Sequence, residues 1–367
     1  MNTRRFIVVM IIALALWNGV LTIGHYLSSA ERGQILVGVF YYVWYGEERH
    51  WNEDQQSVVV DIPSTKYYRG YYSSLNRTVI CQQLKLIEEA GIDFVIISWT
   101  GIDTYEDKAT QLVFRVIQEE NLDVKAAIMV EPTEYYGCKG DFCELNETRI
   151  AQAKSYILDK YVHPYKKQYF FWEDRPLLAF FVPLNPPKDL IFSTRVVGNR
   201  EFGDWPYWTI PPIVSYDGVV AVLPRHDDSR LQRSNPIVKD EDYSARLYDQ
   251  QWEFVLAMKD KVKAVLITTW NEYHERTMIE PHIDATVRIL GYEPDYLYKK
   301  TQTYIKQLNL RPVLFAFIYA FPSQLLLFTI LYYAVVCITK IGNEQAKENV
   351  KNIKQLLLVG AFSRMLV

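Results

Sequence analysis

The stretch AVLITTWNEYHE, residues 264–275, decides how the chain is read. Its first half is a short apolar run that reads as a buried strand, Val265–Thr269. Its second half delivers Glu272 and Glu275 just past the strand's C-terminal end. Barrel enzymes carry their catalytic groups at that end of their strands. Working outward, the same alternation recurs. Ile35–Tyr42, Phe94–Trp99, Val124–Val130, Leu177–Val182 and Val219–Leu223 read as further strands. Thr78–Ala90, Asp107–Glu120 and Glu147–Tyr161 have helical spacing, and Pro294–Leu308 is a late helix with Pro294 suited to its first turn. Asn185–Pro212 is rich in Pro, Trp and Gly and reads as long loops and irregular barrel segments. Alternating β and α with buried strands implies a parallel sheet. The predicted fold is α/β, one (β/α)8 TIM-like barrel over 31–310, in line with the roughly 250 residues such barrels use.

The barrel is expected to lie between two membrane segments. Phe6–Gly24 carries no charge and follows Arg4 and Arg5, so 1–30 reads as a signal anchor spanning at 6–24 with a cytoplasmic N-terminus. Ser28-Ser29-Ala30 offers the competing reading, a cleaved signal peptide. A second uncharged run, Pro312–Thr339, makes 311–340 a transmembrane helix. Lys340, Lys347, Lys351 and Lys354 then assign 341–367 to a cytoplasmic tail, although Lys299, Lys300, Lys306 and Arg311 reduce the asymmetry. The barrel would therefore be extracytoplasmic, at a cell surface or in a secretory lumen. Two sequons, at Asn76 and Asn146, agree with glycosylation there. Cys138 and Cys143 share a short polar loop and suit a local disulfide outside the cytoplasm.

The chain has 367 residues and net charge −3, which provides no basic field for nucleic acid. Without an H-E-x-x-H motif or a second Cys/His pair, no metal and no cofactor is expected. The unusual feature is aromatic content of 14%. Much of it falls at predicted strand ends, in Tyr41, Tyr42, Trp44, Tyr45, Trp51, Trp99, Trp270 and Tyr273, and these rings are expected to line one cleft. Glu131 ends another strand, and His50 and His226 lie just beyond two more. Two carboxylates in one cleft suit glycoside hydrolysis, where one donates a proton to the leaving oxygen and the other assists attack. Asn271 is expected to bind a sugar hydroxyl and His274 to orient a carboxylate. The partners implied are a glycan (an N-glycan or a surface polysaccharide) and membrane lipid. A glycan-binding or assembly component that is catalytically weak or inactive, or a transglycosylase or glycosyltransferase-associated enzyme, is the alternative.

With those residues assembled, the domain resembles glycoside hydrolase family 99, the endo-α-mannosidase and endo-α-mannanase group. The matching stretches are FYYVWYG with HW at 40–51, YYSSLNRTVICQQLKLIEEAGIDFVIISW at 71–99, VKAAIMVEP at 124–132, YVHPYKKQYFFWEDRPLLAFF at 161–181 and WNEYHERTMIEP at 270–281. The resemblance implies a (β/α)8 barrel and a retaining mechanism through a 1,2-anhydro sugar. In that mechanism Glu272 is the base for the sugar's own 2-hydroxyl and Glu275 is the acid/base. The chain departs from the family motif at Tyr273 and Arg276, where Trp and Gly are usual, and only Glu47-Glu48-Arg49 separates WYG from HW. Arg276, beside Glu275, is expected to lower that carboxyl's pKa.

Overall fold

The computed structural model describes residues 34–46, 50–51, 59–139, 142–188, 190–198, 203–231, 233, 235–239 and 244–309. The apolar runs expected to span a membrane, the tail at 341–367 and Glu47-Glu48-Arg49 all lie outside the described residues. Among the described residues no helix is long and apolar enough to cross a membrane.

Eight parallel strands form the sheet: β1 (Leu36–Tyr42), β2 (Phe94–Trp99), β3 (Lys125–Val130), β4 (Arg175–Phe181), β5 (Ser193–Gly198), β6 (Trp205–Pro206), β7 (Val219–Val222) and β8 (Ala264–Ile267). Their spatial order is β6-β5-β4-β3-β2-β1-β8-β7, so the two ends of the path are consecutive in sequence. β6 and β7 are close neighbours without a ladder between them. A hydrogen bond from Thr268 Oγ1 to the carbonyl of Tyr207 ties the loop after β8 to the loop after β6 across that seam. The result is a near-closed barrel, as the β/α alternation implied.

The helical ring is thinner than the (β/α)8 expectation. Five α-helices are described: α1 (Arg77–Glu89), α2 (Tyr105–Glu119), α3 (Glu147–Ile157), α4 (Arg246–Ala257) and α5 (Tyr296–Asn309). Among the described residues there is none between β4 and β7, where the sequence is aperiodic and rich in proline. Local signals account for the helix starts. Asn76 Oδ1 accepts from the N–H groups of Thr78 and Val79, and Asn146 Oδ1 accepts from Arg149 N, so both sequon asparagines are exposed N-caps. Thr104 Oγ1 caps α2 in the same way.

Period-two alternation sorts each strand's side chains between two cores. Val37, Val39 and Tyr41 of β1 pack outward against the helices, while Phe40 and Tyr42 point into the barrel. In β2, Val95, Ile97 and Trp99 face out, and Phe94 and Ile96 face in. The interior is a packed core rather than a pore. Near the strand starts Phe94 stacks on Phe170 with ring centroids 3.8 Å apart, and a Cβ on Gly38 would intrude on the Phe94 ring. Gly38→Ala is therefore expected to cost about 1–3 kcal/mol through overpacking, read as a lower Tm in thermal unfolding. An unchanged Tm would show that the ring has room to move.

Cys138 and Cys143 are disulfide-bonded across two short antiparallel strands, Cys138–Lys139 and Phe142–Cys143, in the loop between β3 and α3.

Candidate active site

The loop after β8 turns tightly, and the turn carries both acids. Glu272 is buried, and three donors converge on its Oε1: the backbone N–H of His274 at 2.8 Å, the backbone N–H of Glu275 at 3.4 Å and the His274 ring Nδ1 at 3.2 Å. Thr269 Oγ1 accepts from Glu272 N and pins the start of the turn. His274 therefore orients Glu272 through both its backbone and its ring.

Glu275 is held from the other side. Its Oε2 lies 3.4 Å from His226 Nε2, and its Oε1 accepts from Arg233 Nη2 at 2.8 Å. Asp227 N donates to the Glu275 carbonyl, which fixes the backbone. Burial alone would raise this carboxyl's pKa. The contact with His226 and the charges of His226 and Arg233 outweigh it, so the group is held below the usual carboxylate range. The direction agrees with the sequence reading, but the agent does not. Arg276 donates instead to Asp61, at 2.7 and 3.1 Å, and to Asp227 at 2.9 Å. Its backbone is left-handed, with φ of 55°, and its guanidinium pairs with those two carboxylates.

A third carboxylate shares the electrostatic environment. Glu131 follows β3 and accepts from Ser98 Oγ at 2.7 Å. Burial pushes its pKa up to about 7; the Ser98 hydrogen bond opposes that, and the charges of Glu272 and Glu275 add to it. Tyr42 and Tyr207 share a hydrogen bond of 2.8 Å, and both feel Glu131 and Glu272. Three acids and two tyrosine hydroxyls thus meet at the C-terminal ends of the strands. One aromatic wall stands beside them: Trp44 stacks on His50 at 4.6 Å, and His274 lies 5.5 Å from His50 and 6.2 Å from Trp44. Trp208 lies 5.4 Å from His226 on another side.

Several residues expected in the cleft are elsewhere. Trp99 has the outward parity of β2, and its Nε1 donates to buried Asp107 of α2 at 2.9 Å. Tyr41 faces out to Gln83 of α1, and Trp270 packs near Tyr298 of α5. Asn271 is fully buried with its amide committed to protein: Oδ1 accepts from Tyr42 N, and Nδ2 donates to Tyr42 O and Tyr72 Oη. It clamps the end of β1 rather than facing a sugar. Tyr45, Trp51 and Tyr273 form a buried aromatic stack under the wall. Tyr45 Oη donates to Asn271 O, Trp51 Nε1 to Tyr72 O and Tyr273 Oη to Glu280. Glu280 gathers four donors in all, from Tyr68, Tyr72, Gln83 and Tyr273, and burial raises its pKa. Of the named site residues, Tyr42, Trp44, His50, Glu131, His226, Glu272, His274 and Glu275 come together.

Sequence reasoning missed Tyr207, Trp208 and Arg233. The first two follow a two-residue strand inside the aperiodic stretch, where only the aromatic density of Trp205-Pro206-Tyr207-Trp208 was a signal. Arg233 lies in the loop RHDDSRLQRS, residues 225–234, and nothing in that stretch singles it out from Arg230 as a partner of Glu275.

No family model and no curated protein matches the chain. Solved structures do match its fold. A glycoside hydrolase family 99 endo-α-mannosidase from Bacteroides thetaiotaomicron, solved with bis-tris-propane, superposes with a TM-score of 0.58 at 16% identity, covering 76% of this chain and 98% of that one. A second structure of the endo-α-mannosidase from Bacteroides thetaiotaomicron gives 0.57 at 15% identity over the same shares. A structure described as a glycoside hydrolase-like protein gives 0.52 at 14% identity, with 76% of this chain and 95% of that one covered. The chain therefore has the barrel fold of these structures.

Proposed function

We propose that the chain is a retaining glycoside hydrolase acting on α-linked, mannose-containing glycans. We read it as membrane-anchored, with the barrel extracytoplasmic and both termini cytoplasmic. The observation that supports the enzymatic reading is the turn after β8, in which Glu275 N donates to Glu272 Oε1 and whose two acids act electrostatically on Glu131 and Tyr207. The fold shared with endo-α-mannosidase structures supports it.

In the proposed reaction Glu272, oriented by His274, removes the proton from the substrate's 2-hydroxyl, and that oxygen displaces the leaving group from the anomeric carbon. Glu275 protonates the departing oxygen. Glu275 then takes a proton from water, which opens the 1,2-anhydro sugar at the anomeric carbon with retention, and Glu272 returns its proton to the 2-oxygen. Trp44 and His50 offer flat faces to a pyranose ring. Incubating the folded protein with α-mannose-containing oligosaccharides and reading products by mass spectrometry tests this. Tight binding with no cleavage across a broad panel would reject it.

The ion pairs on Glu275 have a consequence for pH. An acid must be protonated, and Arg233 and His226 hold this carboxyl ionised. Arg233 is half exposed and bridges Asp228 and Glu275, at 2.8 Å each. Arg233→Ala removes one cation, so the Glu275 pKa rises and the alkaline limb of kcat/KM moves up by about one pH unit. A downward shift would remove Glu275 from the acid role. The same ion pairs favour a second reading, a glycan-binding component in which the clamped Glu275 never donates. The cleavage experiment separates the two.

A further inference from the structure

His226 and Glu275 face each other in a way that fixes where a proton between them can sit. His226 lies in the chain after β7, in the first of two short antiparallel strands, His226–Asp227 and Val238–Lys239. Its ring is almost wholly buried and held by its neighbours. Nδ1 lies 3.2 Å from the carbonyl of Ile237, Nε2 lies 3.4 Å from Glu275 Oε2, and the Trp208 ring stands 5.4 Å away. A carbonyl only accepts, so Nδ1 carries a hydrogen and donates it. That leaves Nε2 as the nitrogen that gains or loses a proton, and it faces the carboxyl. Turning it away would break the bond to Ile237.

The backbone enforces the same approach. Asp227 N donates to the Glu275 carbonyl at 2.8 Å, so the strand that carries the ring is tied to the acid turn. Asp228 is fully buried, accepts from Ile237 N and pairs with Arg233. The charges that act on the His226 ring are those of Glu275 and Asp228, and Arg233 bridges these two carboxylates. Asp227 is paired with Arg276. Glu272 shares the turn with Glu275, which also acts on Tyr207 after β6 and on Glu131 after β3. Burial opposes a charged imidazole, but the contact with Glu275 and the two negative charges outweigh it and raise the His226 pKa. The same contact holds Glu275 low. Between those two values the pair carries one proton, mainly on His226.

We propose that His226 is the proton store for Glu275: the proton given to the departing oxygen is kept on His226 Nε2 and reaches that oxygen through Glu275 Oε2. The inference rests on the glycosidase reading and gives a carboxylate held ionised a proton to donate. In the first step the proton passes from Nε2 to Oε2, leaving a neutral imidazole and a carboxylic acid. The new O–H rotates about its C–O bond toward the departing oxygen and protonates it as its bond to the anomeric carbon breaks. In the second step the proton that Glu275 takes from water returns to Nε2, and the pair is as it began. His226 touches Glu275 rather than the substrate, so it is a positioning residue.

The test is the pH profile of kcat/KM for the full chain and for His226→Gln on an α-mannose-containing oligosaccharide. Gln keeps an amide N–H for the carboxylate but does not titrate. Glu275 is then left to titrate alone, so the alkaline limb is expected to fall by about two pH units, the gap between ordinary His and Glu values. Cleavage at pH 7 falls by about 100-fold with it, while the burst of fluoride release from an α-mannosyl fluoride falls far less, because fluoride leaves without a proton. A limb that stays in place, with or without a uniform loss of rate, overturns the proposal. Titrating isotope-labelled histidines of the full chain by NMR reads the pair without catalysis and without the His226 variant. One of the six histidines is expected to titrate above the ordinary value of about 6.5 and to drop by about one unit in Glu275→Gln. No histidine that responds overturns the proposal even where the chain cleaves glycans, and then the glycosidase reading stands. A responding histidine in a chain that cleaves no glycan rejects the glycosidase reading, and the donation step with it.

Discussion

Glu272→Gln is expected to lose cleavage of both natural glycans and an α-mannosyl fluoride, whereas Glu275→Gln is expected to lose the glycans but to keep the first step on the fluoride, read as a burst of fluoride release. Each loss is expected at about 10²–10⁴-fold in kcat, the range for a general acid or base. The difference follows from the leaving group. Fluoride departs without a proton, so Glu275 is dispensable in the first step and needed only to activate water in the second. In the proposed reaction the 2-hydroxyl proton must be removed with either substrate, and that step is assigned to Glu272. Gln keeps the acceptor oxygen for the His274 and Glu275 N–H groups, so the turn is expected to hold its shape. Thermal unfolding of both variants within a degree or two of the parent would confirm that chemistry was removed rather than structure. Equal loss on both substrates would rule out this division of labour.

Arg225→Met is expected to destabilise the barrel by about 3–5 kcal/mol, because it leaves the buried Asp284 carboxylate without its arginine. Arg225 is almost wholly buried after β7. It donates to Asp284 at 2.6 Å, to Tyr296 Oη at 3.2 Å and to the carbonyl of Arg276 at 3.0 Å, and it lies 3.8 Å from Asp61. His282 Nε2 is 2.9 Å away. Met fills much of the stem's volume but replaces none of the hydrogen bonds. The cluster also holds the β8 turn through Arg276, so cleavage is expected to fall with stability. The pH sign can be worked from Asp284. Burial acts to raise its pKa, but the His282 contact and the Arg225 charge hold it well below the ordinary value. A depressed folded pKa contributes stability that is full above the unfolded Asp value of about 3.9 and is lost as pH falls through the folded value. Losing Arg225 raises the folded pKa, so the acid unfolding midpoint of the variant moves to higher pH. Urea unfolding at pH 7 and an acid titration read the two effects. A change under about 1 kcal/mol would mean that water reaches the cluster and replaces the arginine.

The sequence by itself determined the barrel's skeleton and the acid turn. Runs such as VGVFYY, FVIISW and AVLI have one continuous apolar signal because both faces of each strand are buried, and Asn76, Thr104 and Asn146 mark helix starts through local hydrogen bonds. Both signals are short-range, so a single sequence carries them. Between β4 and β7 the strand β5 reads STRVVG, without the continuous apolar run of β2; β6 has two residues, and no helix is described, so periodicity had little to register. That is why Tyr207 and Trp208 escaped notice.

Which aromatic faces which way was decided by the tertiary structure. A continuously apolar strand does not show its parity, and one residue of register sends Ser98 toward Glu131 and its neighbour Trp99 toward Asp107. Charge pairing was likewise beyond the sequence. Arg276 adjoins Glu275 in the chain yet pairs with Asp61 and Asp227, while Arg233, forty-two positions away, reaches the acid. Coulomb interaction acts through space, and the left-handed turn at Arg276 points its side chain out of its neighbour's reach. The strand-end residues therefore pointed to an aromatic cluster with two acids. Only the fold decided that eight of the expected residues form it, and that the remaining aromatics and Asn271 hold it in place.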